Sequence, residues 1–252
     1  MTLFSDLRTL YQLVIKPVRG NTHAQRLESF YAPQAEDYDR FRRKLLVGRE
    51  ELYGMIIPPA GGTWIDMGAG TGANLEMIDP WKLQRLTRMT LVDLCPGLLR
   101  VARRRVDSMA LGNVELLEAD ATCVPLPEAS ADVVTFSYSL SMIPDFVAAL
   151  EEAYRLLKPG GLIGVVDFYV SQAHPAHGAA HSWLTRTFWP AWFAWDSVHL
   201  HPHSLNWLAR KFEVVFRRER RARVPWMPLG RVPVYQFVGR KPVAGRARPP
   251  AA

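Results

Sequence analysis

Short apolar runs punctuate this chain from Thr63 onward, and segments of helical spacing separate them. TWIDM (63–67), MTLVD (89–93), VELLE (114–118), DVVTFS (132–137) and LIGVVDF (162–168) read as five strands, each too short for a helix and bounded by turn residues. A helical segment, 73–79, follows the first run. Pro96 opens another, at a position where a missing N–H costs little. There Leu99, Ala102, Val106 and Met109 recur on one face, while Arg100, Arg103, Arg104 and Arg105 supply a wet side. A third helix, 146–157, stops at Lys158-Pro159-Gly160-Gly161. FEVVF and VYQFV predict two later strands, near 212–219 and 234–239. Strands alternating with helices predict an α/β fold: a doubly wound parallel sheet that binds ligands at the strands' C-terminal ends.

Two helical stretches precede the sheet. Residues 3–15 place Leu3, Phe4, Leu7, Leu10, Tyr11, Val14 and Ile15 on one face, which suits either the protein's own core or a membrane interface. Residues 34–57 put Tyr38, Arg42, Leu45 and Arg49 on one stripe, either a carboxylate-binding face or a solvated one. Between the fifth run and the last strands lies an insertion, about 170–207, holding Trp183, Trp189, Trp192, Trp195 and Trp207 out of eight tryptophans in the chain. The organisation expected is N-terminal helices over 1–58, including a cap over the ligand site, a sheet domain over 59–241 and a disordered tail over 242–252.

Composition adds charge and compartment. With 48% apolar residues the chain can bury a sizeable core. A net charge of +7 favours an anionic partner surface, nucleic acid or acidic lipid, or serves solubility alone. Cys95 and Cys123 have no metal-type spacing and suit a reducing compartment. No apolar run is long enough to span a bilayer, and the N-terminus lacks a signal-peptide pattern. A cytoplasmic protein, peripheral on the inner membrane surface, is the expectation.

The chemistry centres on Asp66-Met67-Gly68-Ala69-Gly70-Thr71-Gly72, where three alternate glycines join the first strand to a helix. Such a turn lets a ligand approach the backbone, and many cofactors use one. Two further acids follow later strands. Asp93 closes the second strand, at the distance from the glycines where an acid accepts bonds from ribose hydroxyls. Asp120, in EADAT, suits an exocyclic adenine amine, so adenine is expected near Leu94, Asp120 and Ala121. An acid directly before the glycines disfavours a pyrophosphate and suits an ammonium and a sulfonium. The cofactor read here is therefore S-adenosylmethionine, with S-adenosylhomocysteine as product.

These motifs resemble the class I methyltransferases across residues 63–168. The resemblance implies a Rossmann-like methyltransferase sheet in which Asp66, Gly68, Ala69, Gly70 and Gly72 face the methionine moiety and Ser137 and Tyr138 face the reacting centre, with Arg42 as a further cofactor ligand. More narrowly, SYSLSMIPDF (137–146), GVVDFYVS (164–171), FWPAWFAWDSVHLHP (188–202), VPVYQFVGRK (232–241) and YDRFRRKLLVGRE (38–50) are similar to the betaine-lipid N-methyltransferases. That resemblance implies three successive methylations of diacylglyceryl-homoserine to diacylglyceryl-trimethylhomoserine. It also implies a functional link to the aminocarboxypropyl transferase that builds the headgroup.

An amine acceptor must be deprotonated, so a base or a shuttle to water helps. Tyr138 and Asp167 are the preferred candidates, at the ends of the fourth and fifth strands, followed by Tyr31, Tyr38, Tyr169 and His199. Arg42, Arg43 and Arg49 are candidates for the substrate carboxylate, and the tryptophans for its quaternary ammonium, for the headgroup level of a bilayer or for ordinary core packing. Asp196, His199, His201 and His203 lack a defined ligand spacing, and no metal is expected. Arg217, Arg218, Arg220, Arg221 and Arg223 suit an anionic membrane better than nucleic acid, because no RNA-binding motif accompanies them. The alternatives are a methyltransferase of phosphatidylethanolamine, a quinone or another small molecule, and a non-catalytic membrane- or nucleic-acid-binding module.

Overall fold

A computed structural model describes residues 45–243 apart from 176–177, 195–197, 226 and 228–229. The expectations for residues 3–15, Tyr31, Tyr38, Arg42, Arg43, Trp195, Asp196 and the tail from 244 lie outside the described residues.

A seven-stranded sheet has the order β3-β2-β1-β4-β5-β7-β6. Its members are β1 (Thr63–Met67), β2 (Arg88–Asp93), β3 (Val114–Glu118), β4 (Ala131–Ser137), β5 (Leu157–Phe168), β6 (Glu213–Arg223) and β7 (Arg231–Arg240). The first five are parallel, as predicted, and β7 pairs antiparallel with both β5 and β6. Strand order reverses between β1 and β4, which opens a crevice at their C-terminal ends. Between β4 and β5 the register passes from Ala131↔Leu157 to Val133↔Leu162, so the Lys158–Gly161 stop bulges out rather than ending the pairing.

Helices cover both faces. In chain order they are α1 (Arg49–Met55), α2 (Pro80–Arg85), α3 (Pro96–Ser108), α4 (Phe146–Leu156), α5 (Trp183–Ala194) and α6 (Ser204–Lys211). Two core clusters form, one on each side of the sheet, and β1 divides its side chains between them: Trp64 in one, Ile65 and Met67 in the other.

Two expectations change here. The helix read as continuous over 34–57 is interrupted: Gly48 takes φ 87°, a left-handed conformation, and α1 starts afresh at Arg49. Arg49 therefore leaves the stripe it shares in sequence with Leu45. It is 6% exposed and donates from Nε to the Leu46 carbonyl and from Nη1 to Asn74 Oδ1. The segment after the glycines is a 3-10 turn, Ala73–Met77, followed by the separate α2.

Candidate functional site

A cavity of about 280 Å³ opens at the C-terminal ends of β1, β2 and β4. Gly68, Gly70, Asp93, Leu94, Ala119 and Asp120 line one side, and Tyr138, Ser139 and Met142–Asp145 the other. Gly68 adopts φ 69°, and a Cβ placed there would sit 2.4 Å from the Ser139 Cβ, so only glycine leaves the cavity open. Its N–H and that of Ala69 donate to the Val92 carbonyl, which ties the glycine turn to the end of β2.

Asp93 is the last residue of β2, so its carboxylate clears the sheet and reaches the cavity. Oδ2 accepts from the Gly70 N–H at 2.7 Å and Oδ1 from the Cys95 N–H at 2.9 Å. A carboxylate is an acceptor on both oxygens, which suits the hydroxyls of a ribose at this position. Asp120 is exposed and lines the same cavity. Its Oδ1 accepts from the Thr122 N–H and Oγ1, both at 2.8 Å, leaving Oδ2 for an exocyclic amine. Leu94, Leu98, Ala121 and Ile143 give the cavity apolar walls that suit an adenine ring.

Asp66 is placed differently from its expectation. The strand runs on to Met67, so Asp66 still obeys strand alternation and points into the Trp64 face, beneath α1. It is fully buried, and its carboxylate accepts from Tyr53 Oη (3.0 Å), Asn74 Nδ2 (3.0 Å) and Thr135 Oγ1 (2.6 Å). Burial raises its pKa, against these hydrogen bonds. Asp66 supports the glycine turn from behind and does not line the cavity. Ser137, whose Oγ donates to Asn74 Oδ1 at 3.4 Å, belongs to the same layer. Ala69 and Gly72 also lie behind the wall; a Cβ at Gly72 would press on Ala102 and Leu91 at 3.3 Å.

The described residues proposed as bases are all bonded elsewhere or lie off the cavity. Tyr138 reaches the cavity, but its hydroxyl donates to the Val47 carbonyl at 2.7 Å. Burial, then the Asp167 charge, pushes its pKa well above the usual phenol range, so it stays protonated. Asp167 is 1% exposed and accepts from the Ser141 N–H and Oγ and from the Phe168 N–H. It fastens the 3-10 turn Leu140–Met142 to the end of β5 and does not line the cavity. Tyr169 donates to Glu219 Oε2, and burial raises its pKa as well. His199 is exposed, away from the lining, with its N–H on the Ser141 carbonyl. The His199 and His201 rings lie 6.3 Å apart, His201 stacks on Phe146 at 4.3 Å, and His203 Nδ1 meets Gln172 Nε2.

Sequence reasoning missed Cys95, Leu98, Ser139, Met142 and Pro144 in the wall and Asn74 behind it. Asn74 sits two residues after Gly72, and its amide could have been read as the partner of a buried acid.

The sheet and its crevice have the Rossmann-like fold of solved methyltransferases, and residues 65–165 match the family described as "Methyltransferase domain". The residues present fit S-adenosylmethionine as cofactor, in line with that match. A demethylmenaquinone methyltransferase of Listeria welshimeri is 30% identical over 151 residues, 58% of this chain and 64% of that protein. A malonyl-[acyl-carrier protein] O-methyltransferase of Serratia marcescens is 36% identical over 141 residues, 55% and 51% of the two chains. The chain thus spans less than two thirds of these relatives' length. Among solved structures, a phosphoethanolamine N-methyltransferase 2 of Haemonchus contortus superposes with a TM-score of 0.64 at 15% identity, over 90% of this chain and 61% of that one.

Proposed function

We propose that this chain is an S-adenosylmethionine-dependent methyltransferase whose acceptor is the amine of a lipid headgroup, diacylglyceryl-homoserine, taken to the trimethylated betaine lipid in successive transfers. The observation that carries the cofactor half is the Asp93 carboxylate, held between the Gly70 and Cys95 N–H groups inside a glycine-walled cavity. Bound there, S-adenosylmethionine supplies an electrophilic methyl group on sulfur. The chain's own residues position and enclose. Asp93 and Asp120 orient the nucleoside, Gly68 and Gly70 allow close approach, and Tyr138 and Ser139 shape the opposite wall. Among the described candidates Tyr138 and Asp167 are both engaged, which leaves a shuttle to water for the acceptor's proton.

The lipid half is supported by the aromatic side chains that lead away from the cavity. Tyr138 meets Phe168 edge-on at 4.7 Å, Phe168 meets Phe193 at 4.8 Å, Phe193 meets Trp189 at 5.8 Å, and Trp189 meets Phe188 at 5.1 Å. Phe188 stacks on Trp192 at the surface. Aromatic faces favour the methylated ammonium product and acyl surface alike. The motif resemblance and the fold of the Haemonchus N-methyltransferase agree with an amine.

Incubation with methyl-labelled S-adenosylmethionine and diacylglyceryl-homoserine should place label in the lipid fraction. A parallel arm offers demethylmenaquinone, the reading favoured by the Listeria relative. Label in the quinone alone overturns the amine assignment.

A further inference from the structure

Helix α5 is apolar on both sides. Thr185, Trp189 and Phe193 form the buried stripe. On the outer side Trp183 is 69%, Leu184 58% and Trp192 41% exposed, and Thr187, Ala191 and Ala194 are exposed beside them. Arg186 is the sole charged residue of its twelve. A helix that is apolar all round is normally enclosed. At about 18 Å it is too short to cross a bilayer and suits lying in the plane of one.

The surroundings specify the charge of what covers it. Arg221 Nη2 donates to Thr185 Oγ1 at 3.0 Å, which brings the arginine-bearing end of β6 beside the helix. Arg221, Arg223 and, on β7, Arg231 are exposed there. The acid closest to this end of β6 in sequence, Glu219, is engaged by Arg217, Tyr169 and the Ala179 N–H. Aromatic tips over an apolar face, flanked by arginines, match the boundary between headgroups and acyl chains of an anionic leaflet.

We propose that α5 is the membrane-docking face of this protein and that it seats in the interface of an anionic bilayer through Trp183, Leu184 and Trp192, with Arg221 and Arg223 on the headgroups. This placement would put the outer end of the Trp192–Tyr138 aromatic series at the lipid surface. It does not depend on which acceptor is methylated, so it can stand or fall apart from the headgroup assignment.

The test is co-sedimentation of the full chain with vesicles of phosphatidylcholine alone or of equal parts phosphatidylcholine and phosphatidylglycerol. Wild type should pellet with the mixed vesicles and stay in the supernatant with phosphatidylcholine. Trp183→Ser/Leu184→Ser should partition at least about tenfold more weakly, since two large apolar groups lose their burial. Arg221→Ser/Arg223→Ser should weaken binding and flatten its salt dependence. S-adenosylmethionine binding by calorimetry controls for folding, because none of these residues lines the cavity. Equal pelleting of wild type and Trp183→Ser/Leu184→Ser overturns the proposal. So does a wild-type dimer that this variant converts to monomer without any vesicle binding, which would make the face a contact with a second copy.

Discussion

At Asp93 both carboxylate oxygens face backbone N–H groups, and the ribose hydroxyls of a bound nucleoside would complete a charge-assisted set. Asp93→Asn keeps the size but turns one acceptor into a donor against an N–H. Calorimetry should show S-adenosylmethionine binding weakened by about tenfold to a hundredfold, the equivalent of about 1.5–3 kcal/mol. Tyr138 gives the opposite expectation. Its phenol is buried, protonated and bonded to the Val47 carbonyl. A group whose pKa is raised that far loses no proton in the working range, so the rise of rate with pH belongs to the acceptor amine, with a midpoint near ~8 in the free amine. Tyr138→Phe should leave that pH–rate limb unshifted while lowering stability by about 1 kcal/mol for the lost hydrogen bond. A displaced limb in the variant would restore Tyr138 as the base.

Among the elements, the glycine turn between β1 and the 3-10 segment Ala73–Met77 is the least tolerant. Gly68→Ala drives a methyl group into Ser139 at a left-handed φ and should abolish cofactor binding, whereas Gly112→Ala, with nothing within 4 Å of the added carbon, should leave it unchanged in the same titration. The strands of the parallel half were readable from sequence, since β1 and β3 fall at 63–67 and 114–118 as expected and β2, β4 and β5 differ only at their N-terminal ends. Apolar runs bounded by turn residues leave little freedom there. The positions of Asp93 and Asp120 were readable for the same reason, as both lie at or just past a strand end. Asp66 was not. Its partners Tyr53, Asn74 and Thr135 come from three separate segments, and local spacing does not join them to it. The partners of the described base candidates were hidden for the same reason. Tyr138 and Asp167 do flank the crevice in sequence, but their partners Val47 and Ser141 come from segments that local spacing does not join to them.

On the scale of the whole molecule, the sheet has two unlike edges. β3 ends one side with five residues carrying Glu115 and Glu118, and β6 ends the other with eleven. Among the described residues β6 pairs with β7 alone, so along its length one row of backbone donors and acceptors has no described neighbouring strand, and Val214 and Val215 are more than half exposed on it. Such an edge invites pairing with another chain. The arginines at 217, 218, 220, 221 and 223 make that pairing electrostatically unfavourable, as two such edges brought together would set like charges opposite one another. Their worth is then colloidal as well as local. Replacing Arg218 and Arg223, both exposed, by threonine should change the melting temperature little, yet light scattering during heating should reveal earlier growth of aggregates. A strand so rich in cations is, in this sense, a guard against self-association before it is a handle for any partner.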